Sequence, residues 1–227
     1  METPRRLSAT HSILYQAPRG IPHRYFGWPS VARLADGSLL AAASGFRLGH
    51  NCPFGRTVIW TSQDEGRNWS MPRVLNDTPL DDRDAGVVAL PDGGAMVSWF
   101  TSDIRFFRES MSMTEQIWKD SLLIFNTYDE EIVRRSLGSF VRRILPDGSA
   151  EAPVAVQVSA PHGPIVLHNG SLFYVGTPFG ELDDEGKLHF SMERLVKVNS
   201  ILALRSDDVG RTWRKLGGIQ QPEGVSF

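Results

Sequence analysis

Ser62-Gln63-Asp64-Glu65-Gly66-Arg67-Asn68-Trp69 and Ser206-Asp207-Asp208-Val209-Gly210-Arg211-Thr212-Trp213 both read Ser-x-Asp-x-Gly-Arg-x-Trp. Each follows an apolar run of strand character, Thr57-Val58-Ile59-Trp60-Thr61 and Ile201-Leu202-Ala203-Leu204. A turn motif tied to a strand and repeated along the chain marks an array of like units. The carboxylate of such an Asp can accept backbone N–H groups one or two residues on and mould a tight turn. The glycine two places later supplies a positive φ. The Trp is a large apolar body able to wedge between neighbouring sheets.

A second repeat interleaves with the first. Ala32-Arg33-Leu34-Ala35-Asp36-Gly37-Ser38, Val88-Ala89-Leu90-Pro91-Asp92-Gly93-Gly94 and Ile165-Val166-Leu167-His168-Asn169-Gly170-Ser171 each join two strand-like runs through Asp-Gly or Asn-Gly. Those dipeptides predict two-residue hairpin turns with positive φ at the central residues. Each unit then reads as an inner hairpin followed by an outer strand pair. Phe140-Val141-Arg142-Arg143-Ile144-Leu145-Pro146-Asp147-Gly148-Ser149 reads as a worn copy of the outer turn without its Trp. The expected units span about 22–80, 81–158 and 159–220. The middle one carries a helical insertion at about 102–138, with Ser112 and Glu115 as a capping box and Asp129 capping a second helix. Those helices serve either as a lid over a pocket or as cover for a sheet edge.

The repeated Ser-x-Asp-x-Gly-Arg-x-Trp pattern resembles the Asp-box, or BNR repeat, of the sialidase (neuraminidase) superfamily. The resemblance implies an all-β fold, a six-bladed β-propeller of sialidase type, of which residues 1–227 hold about three blades. It also implies that the boxes are structural and lie away from the active site. A propeller must close to hide its edge strands. The open edges of a half ring therefore predict either a longer protein or self-association.

Bulk composition bounds the function. The 227 residues carry a net charge of −2, which leaves no basic footprint for nucleic acid. No apolar stretch approaches a membrane span, and Met1-Glu2-Thr3-Pro4-Arg5-Arg6-Leu7 lacks the apolar core of a signal peptide. A cytoplasmic location is expected on that ground. The single cysteine, Cys52, excludes an internal disulfide and reads as a small buried residue. The histidines are scattered and the Asp run lacks the glycine and spacing of a calcium loop, so neither a metal nor a cofactor is expected.

In a propeller the ligand site lies where loops lead into the inner strands. Asp81-Asp82-Arg83-Asp84 is the richest such segment. Its carboxylates around one guanidinium invite coupled titration, which can raise one pKa enough for a general acid. Arg83 can instead grip a sugar carboxylate. Asp84 and Arg83 are the favoured catalytic pair and Asp82 a weaker substrate contact; a solvated turn held by its own Arg stays open as the alternative. His162, between two prolines, is placed to hydrogen-bond a sugar hydroxyl or move a proton. Arg47 and His50 follow the first hairpin and are expected on the substrate side. Arg24 is expected at the mouth; Tyr25 and Trp28 either line it or pack between blades.

The resemblance supplies further roles, residue by residue. Sialidases hydrolyse terminal sialic acids with a Tyr nucleophile activated by a Glu, an Arg triad on the substrate carboxylate and an Asp acid/base. The first Arg lies in a Phe/Tyr-Arg-Ile-Pro motif, where this chain has Tyr25-Phe26-Gly27-Trp28-Pro29. Gly27 stands in the place of that Arg, with Arg24 near but shifted. The loop that carries the family's Asp offers His50 and Asn51 and no carboxylate, while Arg47 fits an Arg that often follows the second strand. The Glu, the Tyr and the other two arginines belong to later blades. These departures favour a divergent exo-glycosidase acting on a terminal, acidic sugar. The rivals are a carbohydrate-binding or self-associating module without catalysis, and a polysaccharide lyase with His162 as base and Arg83 neutralising the carboxylate.

Overall fold

The computed structural model describes residues 10–107, 114–196 and 200–224. Three consecutive antiparallel meanders dominate it. The first pairs β1 (Tyr25–Arg33), β2 (Leu39–Arg47), β3 (Arg56–Ser62) and β4 (Arg73–Asn76) in chain order. The second does the same with β5 (Asp81–Ala89), β6 (Ala95–Ser102), β7 (Gly138–Ile144) and β8 (Val154–Ala155). In the third, β9 (Val158–Ser159) and β10 (Ile165–Val166) both pair with β11 (Leu172–Pro178). A separate hairpin, β12 (Gly180–Leu182) and β13 (Leu188–Phe190), follows before β14 (Ser200–Ser206) and β15 (Arg214–Gln220) complete that sheet.

The sheets stack face to face through the period-two alternation of their strands. Leu40, Ala42 and Ile59 of the first sheet pack on Ala85, Val87, Ala95 and Val97 of the second. Met96 and Val141 on the other face of the second sheet pack on Leu172, Tyr174, Leu202 and Leu204 of the third. Both faces of the middle sheet are thus buried, which is why β6 is buried at every position. Leu14 and Tyr15 cover the outer face of the first sheet, against Ala41, Ala43, Val58 and Trp60.

The hairpin turns depart from the two-residue form. In each of five, a leucine or Asp183 receives its i+3 N–H and donates its own N–H to the i+4 carbonyl, as Gly37 N to Leu34 O at 3.0 Å and Leu34 N to Ser38 O at 2.8 Å. The glycine alone takes positive φ, 82–88° at Gly37, Gly93, Gly148 and Gly170. This is a type I turn closed by a left-handed residue, the three-residue hairpin loop. Asp147-Gly148-Ser149 belongs to this class: Asp147 accepts from Ser149 N at 2.8 Å, as Asp36 does from Ser38 N at 2.9 Å. It is a hairpin turn and not a worn copy of the outer one.

The two outer turns match bond for bond. Ser62 Oγ donates to Asp64 Oδ1 (2.9 Å) and accepts Gly66 N (2.9 Å); Ser206 Oγ donates to Asp208 Oδ1 (2.8 Å) and accepts Gly210 N (2.8 Å). Each carboxylate accepts the N–H four residues on, from Asn68 or Thr212, and not one or two. Each Trp donates its indole N–H to the turn glycine's carbonyl. Trp213 packs against Tyr174 in the core between the second and third sheets, whereas Trp69 lies on the outer face of the first.

Between β6 and β7 stand a single 3-10 turn (Ile104–Phe107) and the helices α1 (Glu115–Phe125) and α2 (Glu130–Ser136). Thr114 caps α1 by accepting Ile117 N, and Asp129 caps α2 by accepting Ile132 N. Ser112, expected in a capping box, lies outside the described residues, and Glu115 is the first helical residue and not an N3 partner. The third sheet has its own insertion, the β12–β13 hairpin and α3 (Met192–Val196), which the sequence analysis did not anticipate. The two insertions share one apolar cluster, Phe107, Phe125 and Leu137 with Phe179 and Met192.

Candidate functional site

The starts of β1 and β5 are built alike. Both strands slip register by one residue against their partners, between Gly27 and Ser30 and between Arg83 and Gly86. The extra residue sits in left-handed backbone, Trp28 at φ 54° and Asp84 at φ 56°, each equally far ahead of its turn leucine. His162, ahead of β10, does the same at φ 67°. Left-handed backbone is costly for non-glycine residues, and it collects where side chains are aimed for function. Phe46, at φ 55°, completes the set around this rim.

Alternation along β5 sorts the four charged residues. Asp81 and Arg83 face the first sheet's end, and Asp82 faces away. Arg47 is wholly buried and donates from Nη1 to Asp81 Oδ1 at 2.6 Å and from Nη2 to Oδ2 at 2.8 Å. Its remaining donors reach Ser44 Oγ and the carbonyls of Gly49, Asp82 and His50. A Cβ at Gly55 would stand 2.1 Å from both Arg47 and Asp81, so glycine is needed for the pair to close. Arg47 is therefore a strut between the first two sheets, with no donor turned to a substrate. This corrects its expected place on the substrate side.

Asp82 is likewise a strut. It is fully buried and accepts from Thr101 Oγ1 (2.6 Å), Thr78 N (2.7 Å) and Thr78 Oγ1 (3.0 Å). Burial, aided by the neighbouring Asp81 charge and opposed by these hydrogen bonds, pushes its carboxyl up to about 7. Only its backbone carbonyl meets the Arg47 cluster, while its carboxylate is taken up by Thr78 and Thr101, so its expected substrate role gives way to a structural one.

Arg83 and Asp84 stand together. Arg83 Nη1 donates to Asn51 Oδ1 at 2.9 Å, and Nη2 lies 3.5 Å from His50 Nε2. Its guanidinium carbon is 5.0 Å from the Trp28 ring centroid and 5.6 Å from that of Phe100. The Trp28 ring also covers Arg47, at 5.2 Å, and meets His50 edge to face. Arg83 Nε and Asp84 Oδ1 are buried, 3.6 Å apart, and among the described residues neither makes a hydrogen bond. Unsatisfied buried polar atoms are expensive and call for an explanation. Burial raises the Asp84 carboxyl, and the Arg83 and Arg47 guanidinium groups pull it back down. His50 is lowered, by partial burial and then by Arg83 and Arg47.

His162 closes the rim from the third sheet. Its Nδ1 lies 2.7 Å from Ser30 Oγ, and its backbone crosses so near Gly86 that a Cβ there would stand 2.2 Å from the carbonyl carbon. Arg24 is exposed and stands apart from Arg83, lining a neighbouring groove with Tyr25. Trp28, Asn51, Asp81 and Phe100 are the site residues that sequence reasoning underweighted. Period-two alternation in β5 puts Asp81 on the face of Arg83, but nothing in a single sequence pairs it with Arg47. Among the described residues no group of three His, Cys, Asp or Glu side chains is arranged to hold a metal ion, and no helix is long and apolar enough to cross a membrane.

No protein-family model and no curated protein matches the sequence. Solved structures do match. A Dyadobacter fermentans protein of unknown function superposes with TM-score 0.57 at 16% identity, over 93% of this chain and 58% of that one. A variant of the NanB sialidase from Streptococcus pneumoniae gives TM-score 0.57 at 13% identity, over 92% of this chain and 46% of the enzyme. The likeness is one of fold. The chain spans about half the length of these neighbours.

Proposed function

We propose that this chain forms part of a sialidase-like, six-bladed β-propeller that hydrolyses a terminal, acidic sugar from a glycan, its three sheets being three blades of that ring. The pairing of Arg83 with Asp84 carries the reading: a cation and a raised carboxyl, side by side at a rim, with buried polar atoms left unpaired. Two turns of Asp-box pattern and a fold shared with a sialidase support the scaffold. The apolar face of the third sheet turned away from the second, with Ile165, Val175 and Ile219 exposed, is where a further blade would pack.

In this reading Arg83 holds the sugar carboxylate, and Trp28 and Phe100 keep water from its guanidinium. Asp84, whose raised pKa keeps its proton nearer neutrality, gives it to the glycosidic oxygen as the bond to the anomeric carbon breaks. His162 and His50 contact sugar hydroxyls. Arg47 and Asp81 position Arg83 without touching substrate. The attacking group is not among these residues.

The test is turnover of aryl sialosides and aryl uronides. Asp84→Asn is expected to lower it by about 10²–10⁴-fold while sugar binding persists; unchanged turnover removes Asp84 from the mechanism. A binding module without catalysis is favoured by Gly27 in place of the family's Arg, and saturable binding with no hydrolysis would establish it. An unsaturated product absorbing in the ultraviolet would instead establish a lyase.

A further inference from the structure

Beside the Arg83 cluster lies a second groove of about 660 Å³, walled by Tyr15, Arg19, Arg24, Tyr25 and Leu48 with their neighbours. Its lining holds two arginines and no acidic residue. Both arginines are exposed, and among the described residues neither side chain has a hydrogen-bond or ion-pair partner. A concave surface with unneutralised guanidinium groups attracts an anion, and guanidinium matches a carboxylate in shape. The groove continues the first site. The Tyr25 ring meets Trp28 edge to face with centroids 6.2 Å apart, and Trp28 in turn covers Arg83.

Gly27 gives the Tyr25 ring its close fit there. A Cβ at position 27 would stand 3.1 Å from a Tyr25 ring carbon and 3.4 Å from its hydroxyl, so a larger residue would press on the ring and shift it by a few tenths of an ångström. Glycine at this point of β1 thus leaves room for an aromatic face beside Arg19 and Arg24.

We infer that this groove is a second subsite, which takes the acidic sugar next to the one at Arg83. The carboxylate of that second sugar lies between Arg19 and Arg24, and its ring packs on Tyr25. The ligand class is an oligosaccharide with acidic groups on consecutive residues. The inference rests on the reading of Arg83 as a sugar-carboxylate site.

Calorimetric titration of the protein with galacturonate and with digalacturonate tests it. The dimer is expected to bind about tenfold more tightly than the monomer, because two exposed charge contacts and one ring contact are added. In Arg19→Gln/Arg24→Gln that preference falls to less than about twofold and its dependence on salt weakens. A thermal melt confirms that the double variant is folded. Full retention of the preference in the double variant overturns the inference, as does equal binding of the two sugars, or binding of neither, by the unaltered protein. Arg83→Gln separates the two sites. If it binds both sugars as before while the double variant loses the preference, the groove stands and the Arg83 reading fails. If it loses monomer binding while the double variant keeps the preference, the Arg83 reading stands and the groove fails.

Discussion

Asp82 shows how a carboxylate at a promising position can work for the fold. Its three hydrogen bonds tie the 78–80 segment to β6, and burial raises its pKa to about 7. In the unfolded chain it titrates near the ordinary value of about 3.9. Below about pH 4 both states hold the proton, and the stabilisation is fully present. Between about 4 and 7 the unfolded state gives up its proton while the folded state keeps it, so stability falls as pH rises, levelling off above about 7. Urea melts at pH 4.5, 6 and 8 should show this decline, and Asp82→Asn should flatten it. An unchanged slope in the variant would place the titration elsewhere. Asp84, two residues on, differs because the register slip turns it back to the side of Arg83. Its Oδ1, buried without a hydrogen bond among the described residues, is the observation on which the proposed acid role rests.

At the scale of elements, the matching outer turns make a paired experiment possible. In each, one carboxylate oxygen takes both the Ser hydroxyl and the N–H four residues on. Asp64→Ala and Asp208→Ala each remove this anchor, at a cost of about 1–2 kcal/mol by analogy with helix caps. The loss should be larger at Asp208, because Trp213 packs in the core between two sheets whereas Trp69 rests on an outer face. Equal losses in denaturant melts would show that the turn alone, and not its Trp, sets the cost. These turns, the strands and the helix cap at Asp129 were legible in the sequence because each depends on neighbours within a few residues. The turn class was not, since Asp-Gly serves several hairpin geometries. The β12–β13 hairpin escaped notice because its apolar signal is only three residues per strand. Arg47 could not be placed at all: its role depends on Asp81, thirty-four positions away.

Across the whole molecule, that Arg47–Asp81 pair joins the first sheet to the second beneath the candidate site. Breaking it with Arg47→Met leaves the buried Asp81 carboxylate with only Arg83, 3.7 Å away, at a cost of up to about 3–5 kcal/mol. That is a large share of the ~5–15 kcal/mol that holds a typical domain together. The double variant Arg47→Met/Asp81→Leu should recover much of the loss, and a double-mutant cycle in denaturant measures the coupling. Sheet docking and site assembly are therefore one event, since the strut that joins the sheets also lies under the Trp28 ring that covers Arg83. Trp28, held between two guanidinium groups and the edge of His50, consequently gives the molecule a built-in optical gauge. With the other five tryptophans replaced by Phe, its emission would report in one signal whether the sheets have closed and would test whether the proposed sugar enters beside them.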